Sequence, residues 1–172
     1  MAAAYVSREQ VEVYRFSVPV AVGVPLAALL LQSFLPLRLP FMAIFDLPLL
    51  VTIYFGVGRR NQLSGLLTGS IIGLLQDSLT HQPIGLYGIA KTVVGYGASS
   101  LGVKLDVDNH GSRLLATFGF YLLHQVIYFA IARGLAEQVL YWRWGHQALA
   151  AVANAVLGVV LFFLLDRLRQ KT

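Results

Sequence analysis

The chain has 172 residues, 57% of them hydrophobic and only 12% charged, where a soluble domain carries about 25% charged residues. That deficit runs evenly from Phe16 to Leu165, so the composition excludes a soluble domain and reads as an all-α polytopic membrane protein. The formal charge of +5 does not point to nucleic acid, because basic residues gather at the ends of membrane spans for their own reason. Zero cysteines exclude a disulfide framework, a thiol nucleophile and a Cys-ligated metal.

Residues 1–15 are polar and mixed in charge; Glu9, Glu12 and the length of the first apolar run argue for an uncleaved first span rather than a signal peptide. Six spans are expected, at about 16–35, 41–57, 62–79, 84–103, 113–132 and 147–165, forming a single transmembrane domain over 1–172. Twenty residues make about 30 Å of helix, the thickness of a bilayer core. Pro19, Gly23 and Pro25 loosen the first span, and Asp46 and Pro48 interrupt the second. Lys104–Ser112 is a polar loop, Tyr141, Trp142 and Trp144 form an interfacial aromatic belt, and the tail after Leu165 is basic.

On alternate sides of the membrane, nine Lys and Arg residues face three, with Lys91 inside a span and left out. The nine are Arg8, Arg15, Arg59, Arg60, Lys104, Arg113, Arg167, Arg169 and Lys171; the three are Arg38, Arg133 and Arg143. This bias in short loops places both termini in the cytoplasm.

The stretch from Ser64 to Gly88 organises the rest. Gly65, Gly69, Gly73 and Asp77 recur every four residues, which on a helix turns through about 400° and keeps them on one face. A stripe without side chains lets another helix approach backbone to backbone. Pro83 and Gly85 supply the chemistry of a tight hairpin turn into the fourth span. At 1.5 Å per residue, Asp46 lies about 7 Å and Lys91 about 10 Å from the outer surface, with Asp77 at the outer end of its span. Intramembrane charges normally pair and face the bundle interior. A buried polar cluster of Asp46, Asp77 and Lys91 is therefore expected. Asp46 pairs with Lys91 and Asp77 caps its own hairpin, or Asp77 takes Lys91 instead. His124 and Asn154 are expected deeper, hydrogen-bonded to each other between helices.

Asp106, Asp108 and Gly111 resemble the start of a calcium loop, but Thr117 stands where such a loop needs its twelfth-position Glu. No motif for covalent, metal or phosphate chemistry is present, so neither an enzyme nor a cofactor is expected.

The glycine stripe with Gln76-Asp77, followed by Pro83-Ile84-Gly85-Leu86 and Val94-Gly95-Tyr96, resembles the signature hairpin of the rod shape-determining protein MreD family. Phe45-Asp46-Leu47-Pro48-Leu49-Leu50, leading to Ile53-Tyr54, and the basic turn Arg59-Arg60 are similar to that family as well. The resemblance implies a non-enzymatic component of the bacterial elongation machinery in the inner membrane. Its partners would be the single-span protein MreC and, through it, the filament MreB and the peptidoglycan synthase RodA with its transpeptidase, besides membrane lipid. It also implies a fold similar to the substrate-binding subunits of energy-coupling-factor vitamin transporters, which makes such a subunit the alternative function. A proton-coupled carrier would need a continuous relay, which Asp46, Asp77 and His124 do not form by depth.

These assignments predict a labelling pattern. A cysteine introduced in loop 81–84 or at Gly145 reacts with a membrane-impermeant maleimide in intact cells, and one at Asn61 or Asn109 reacts only after permeabilisation. The inverse pattern would overturn the orientation.

Overall fold

The structure is a computed structural model that describes residues 16–103, 109–139 and 141–169. The polar lead, residues 104–108 of the loop read against a calcium site, and the tail beyond Arg169 lie outside the described residues. Among the described residues there are six α-helices: α1 (Val18–Arg38), α2 (Leu47–Arg59), α3 (Gln62–Leu79), α4 (Leu86–Gly102), α5 (His110–Gly134) and α6 (Trp144–Asp166). Three of them, α1, α5 and α6, are long and apolar enough to cross a membrane by length and composition, against the six spans expected. The difference has a physical source. α2 has only 13 residues, and α3 and α4 put glycine and serine where hydropathy would come from leucine.

The second span is not one helix over 41–57. A 3-10 turn, Pro40–Ile44, comes first, and α2 starts only at Leu47. Pro48 has no N–H, so a continuous helix would leave the Ile44 carbonyl without its donor. Asn154 Nδ2 on α6 donates to that carbonyl instead, at 2.8 Å. Asn154 Oδ1 accepts the Asp46 N–H at 2.9 Å, and Gln32 Oε1 on α1 accepts the Leu47 N–H at 3.0 Å. Asp46 Oδ1 accepts the Leu49 N–H at 3.0 Å, an N-terminal cap on α2. Irregular backbone at membrane depth survives only where protein groups satisfy it; here Asn154, Gln32 and Asp46 do so. The first helix also runs past its expected end at Leu35 to Arg38, with Pro36 inside it.

α2 is the axis of the bundle: every residue from Pro48 to Gly58 is buried. α4 lies against α2, α3 and α5, while α6 packs on α5 and α2. The glycine stripe of α3 faces α4. A methyl group added at Gly69 would overlap the Lys91 carbonyl, one at Gly73 the Tyr87 carbonyl, and one at Gly65 the Ser99 hydroxyl and the Gly95 carbonyl. The same close approach recurs between α2 and α4, where a methyl at Gly102 would meet the backbone of Val57. The hairpin turn that joins α3 to α4 carries Pro83 and Gly85. Gly85 has φ 107°, a backbone that residues with a Cβ avoid.

Because backbone atoms of α4 oppose Gly69 and Gly73, adding even one carbon at either forces the two helices apart. Overpacking of this kind costs about 1–3 kcal/mol, with no water-driven term to offset it in a membrane. Gly69→Ala should lower, and Gly69→Leu abolish, the accumulation of folded protein on detergent size-exclusion chromatography. Gly119→Ala, with nothing within 4 Å of the added carbon, should leave it unchanged. An abundant, monodisperse Gly69→Leu variant would refute the packing role.

Candidate functional site

Between α2, α4 and α5 lies a buried charged group. Lys91 Nζ donates to Asp46 Oδ2 at 2.7 Å and sits 3.3 Å from His124 Nε2, which is itself 3.9 Å from Asp46 Oδ2. Lys91 and His124 are wholly buried, and Asp46 is 7% exposed. The carboxylate is placed by its capping of α2, because the residue that starts the helix must turn its side chain back to Leu49. The lysine stands on α4, its backbone carbonyl opposite Gly69 of α3 and its wholly buried side chain turned to Asp46 and His124. Tyr87 lies under the ammonium, with Nζ 4.7 Å from its ring centre, and stacks on both His124 and Tyr128.

An ammonium has only donors, so the imidazole nitrogen facing it is an acceptor, and a neutral His124 carries its proton on Nδ1. Asp46 and Lys91 cancel in charge. The ammonium occupies the point where carboxylate and imidazole converge, the place that a metal ion would need.

Of the cluster expected from sequence, Asp46 and Lys91 come together and Asp77 does not join them. Asp77 turns to the start of α4, where Oδ2 accepts the N–H groups of Gly85 (2.8 Å) and Gly88 (3.1 Å) and Oδ1 that of Tyr87 (2.9 Å). A carboxylate at a helix N-terminus meets both the free amides and the positive end of the helix dipole. The expected His124–Asn154 bond is absent: Asn154 is taken up by the break before α2, and His124 by Lys91. Nor does His124 lie in a deeper layer than Asp46. The chain reaches Asp46 through a 3-10 turn and an extended Phe45 rather than a continuous helix, so counting helical rise from Phe41 does not fix its position.

A second polar group, not anticipated from the sequence, closes the other end of α2. Arg113 Nη1 pairs with Asp166 Oδ2 at 2.7 Å, and the Tyr54 hydroxyl donates to Asp166 Oδ1 at 3.2 Å. Arg169 Nε donates to the Tyr54 oxygen at 3.2 Å and also pairs with Asp166. A tyrosine in an apolar run and a lone acid at the end of the last span were the available signals.

Removing one partner of a buried pair costs about 3–5 kcal/mol, whereas replacing both is often near neutral. Asn still caps a helix, so Asp46→Asn isolates the charge. That variant should be strongly destabilised in detergent thermal melts, and Asp46→Asn with Lys91→Met should recover most of the loss. Asp77→Asn should not be rescued by Lys91→Met, since its partners are backbone amides. Equal melting of the single and double Asp46 variants would dissolve the pair.

Searches of curated proteins and of solved structures return no match. The family profile described as rod shape-determining protein MreD matches residues 13–172. That match takes in α1 to α6, both polar groups and the glycine-packed hairpin, and the chain therefore belongs to the MreD family of rod shape-determining membrane proteins.

Proposed function

We propose that this chain is a non-enzymatic scaffold of the bacterial cell-elongation complex. In this reading it is a six-span protein of the cytoplasmic (inner) membrane with both termini in the cytoplasm. It maintains rod shape and organises peptidoglycan synthesis by binding an MreC-like single-span protein. Through that protein it reaches an MreB-like filament and the RodA–transpeptidase synthase.

Besides the family membership, one observation carries the reading: the interior carboxylates and lysine are each paired, with one another or with backbone amides. Asp46, Lys91 and His124 face one another, and Asp77 faces backbone amides. A vitamin-binding subunit of an energy-coupling-factor transporter, the rival reading, needs convergent polar groups turned towards a ligand cavity. The six-span topology is supported by length. α3 and α4, with 18 and 17 residues, extend about 27 and 26 Å at 1.5 Å per residue. The 3-10 turn and α2 together run from Pro40 to Arg59. Several residues that lower the hydropathy of α3 and α4, Gly65, Gly69, Gly73, Gln76, Asp77 and Lys91, are buried against other helices.

Affinity purification of the tagged chain in mild detergent, followed by mass spectrometry, tests the reading. Recovery of a single-span protein with a coiled-coil periplasmic region is the expected outcome. Recovery of an ATP-driven transporter module in its place would favour the vitamin-binding subunit.

A further inference from the structure

The turn between α2 and α3 carries two adjacent guanidinium groups, Arg59 and Arg60, and among the described residues neither pairs with a carboxylate. Arg59 is only partly exposed. Its Nη1 reaches two neutral hydroxyls, Ser64 Oγ at 3.1 Å and Thr68 Oγ1 at 3.4 Å. Its face lies over the rings of Phe55 and Phe16, at 5.1 and 5.8 Å. Arg60 follows in a left-handed conformation, φ 52°, with its Nε buried and without a hydrogen-bond partner. The Arg59 charge is thus held partly out of water by aromatic rings and hydroxyls, and Arg60, next in sequence, buries an unpartnered Nε. Charged groups in that setting ordinarily have a counter-charge.

Thr68 also belongs to an apolar groove of about 190 Å³ along the seam of α1 and α3. Val22, Pro25 and Leu26 line one wall, and Ile71 and Leu75 line the other. The groove therefore begins where the Arg59 guanidinium is bound and runs away from it along the helices. A cationic mouth on an apolar channel matches an amphiphile with an anionic head.

We propose that the Arg59–Arg60 turn and the α1/α3 groove together bind an anionic glycerophospholipid, its phosphate on the two guanidinium groups and an acyl chain in the groove. Guanidinium groups bind phosphate oxygens through paired N–H donors. A zwitterionic phosphatidylethanolamine would bring a third cation against the two arginines, so the site selects lipids of net negative charge. The inference rests on the chain being a membrane protein and not on its binding any protein partner. Loss of lipid binding would leave the partner capture above unaffected, and the reverse.

Native mass spectrometry of the purified full chain in detergent, titrated with phosphatidylglycerol or with phosphatidylethanolamine of the same acyl chains, tests the proposal. Wild type should retain phosphatidylglycerol in preference. Arg59→Gln with Arg60→Gln should weaken it roughly thirtyfold, the effect of two basic side chains at an anionic surface. Val22→Trp, which fills the groove and keeps both arginines, should weaken it too, and glycerol 3-phosphate should not compete. Should the double variant fail to fold, Arg60→Gln alone should weaken binding roughly fivefold. Equal retention of the two lipids by wild type, unchanged binding in any folded variant, or full competition by glycerol 3-phosphate would overturn the proposal.

Discussion

Where Pro48 removes the amide that Ile44 would have used, the chain must find another donor in a region that holds no water. Asn154 supplies it, and with its other side-chain atom takes the Asp46 amide that the same break sets free. One side chain on the last helix therefore determines where the second helix begins. From that start follows the cap: Asp46 turns to Leu49, and its remaining oxygen points to Lys91. Lys91 in turn meets His124 on α5. Four helices are tied through a defect in one of them, and the tie is obligatory because an unsatisfied backbone group in hydrocarbon costs several kcal/mol.

The glycine stripe sets the other half of the arrangement. Packing in a bilayer gains only from van der Waals contact and hydrogen bonds between helices, since lipid tails are as apolar as leucine. Gly65, Gly69 and Gly73 bring α3 so near α4 that backbone opposes backbone, and Asp77 then lies within reach of the first amides of α4. The lysine is enclosed by this approach, and the ion pair with Asp46 follows as the way to keep its charge. Such a pair adds little net stability compared with apolar residues. Its effect is on register: any sliding of α4 along α2 separates the charges.

Much of this was legible in the residues, and the parts that were not share a cause. The hairpin, its glycine face and Asp77 follow from periodicity, because a repeat of four on a helix is a face whatever surrounds it, and the inward Asp46 and Lys91 follow from the cost of charge in a membrane. The break before α2 was half legible: Asp46 and Pro48 announced an interruption, but not that the chain would form a 3-10 turn before Asp46. Asn154 and Gln32 were hidden because their partners are backbone atoms 110 and 15 residues away, and backbone has no signature in sequence. His124 was set apart from Asp46 for a related reason. Counting depth along each span assumes six straight helices, and one of the six is not straight. The Tyr54–Asp166–Arg113–Arg169 group was missed because its charged members sit at span ends, where they read equally well as topology signals.

α2 connects the two polar groups. Asp46 caps its start, Tyr54 lies two turns further on, about 12 Å along the axis, and every residue from Pro48 to Tyr54 is buried. Hydrogen-bonded charge networks in a medium of low dielectric are costly to open part-way. A carrier has to alternate between two arrangements, and for this bundle each cycle would mean breaking the Asp46–Lys91 pair, the Asp166 group, or the backbone contacts of the glycine stripe. A scaffold has the opposite requirement, a surface that stays the same while its partners come and go. In the proposed reading, charges paired inside, glycines packed backbone to backbone and apolar residues turned outward would meet that requirement, and recognition would fall to the outer faces of the helices.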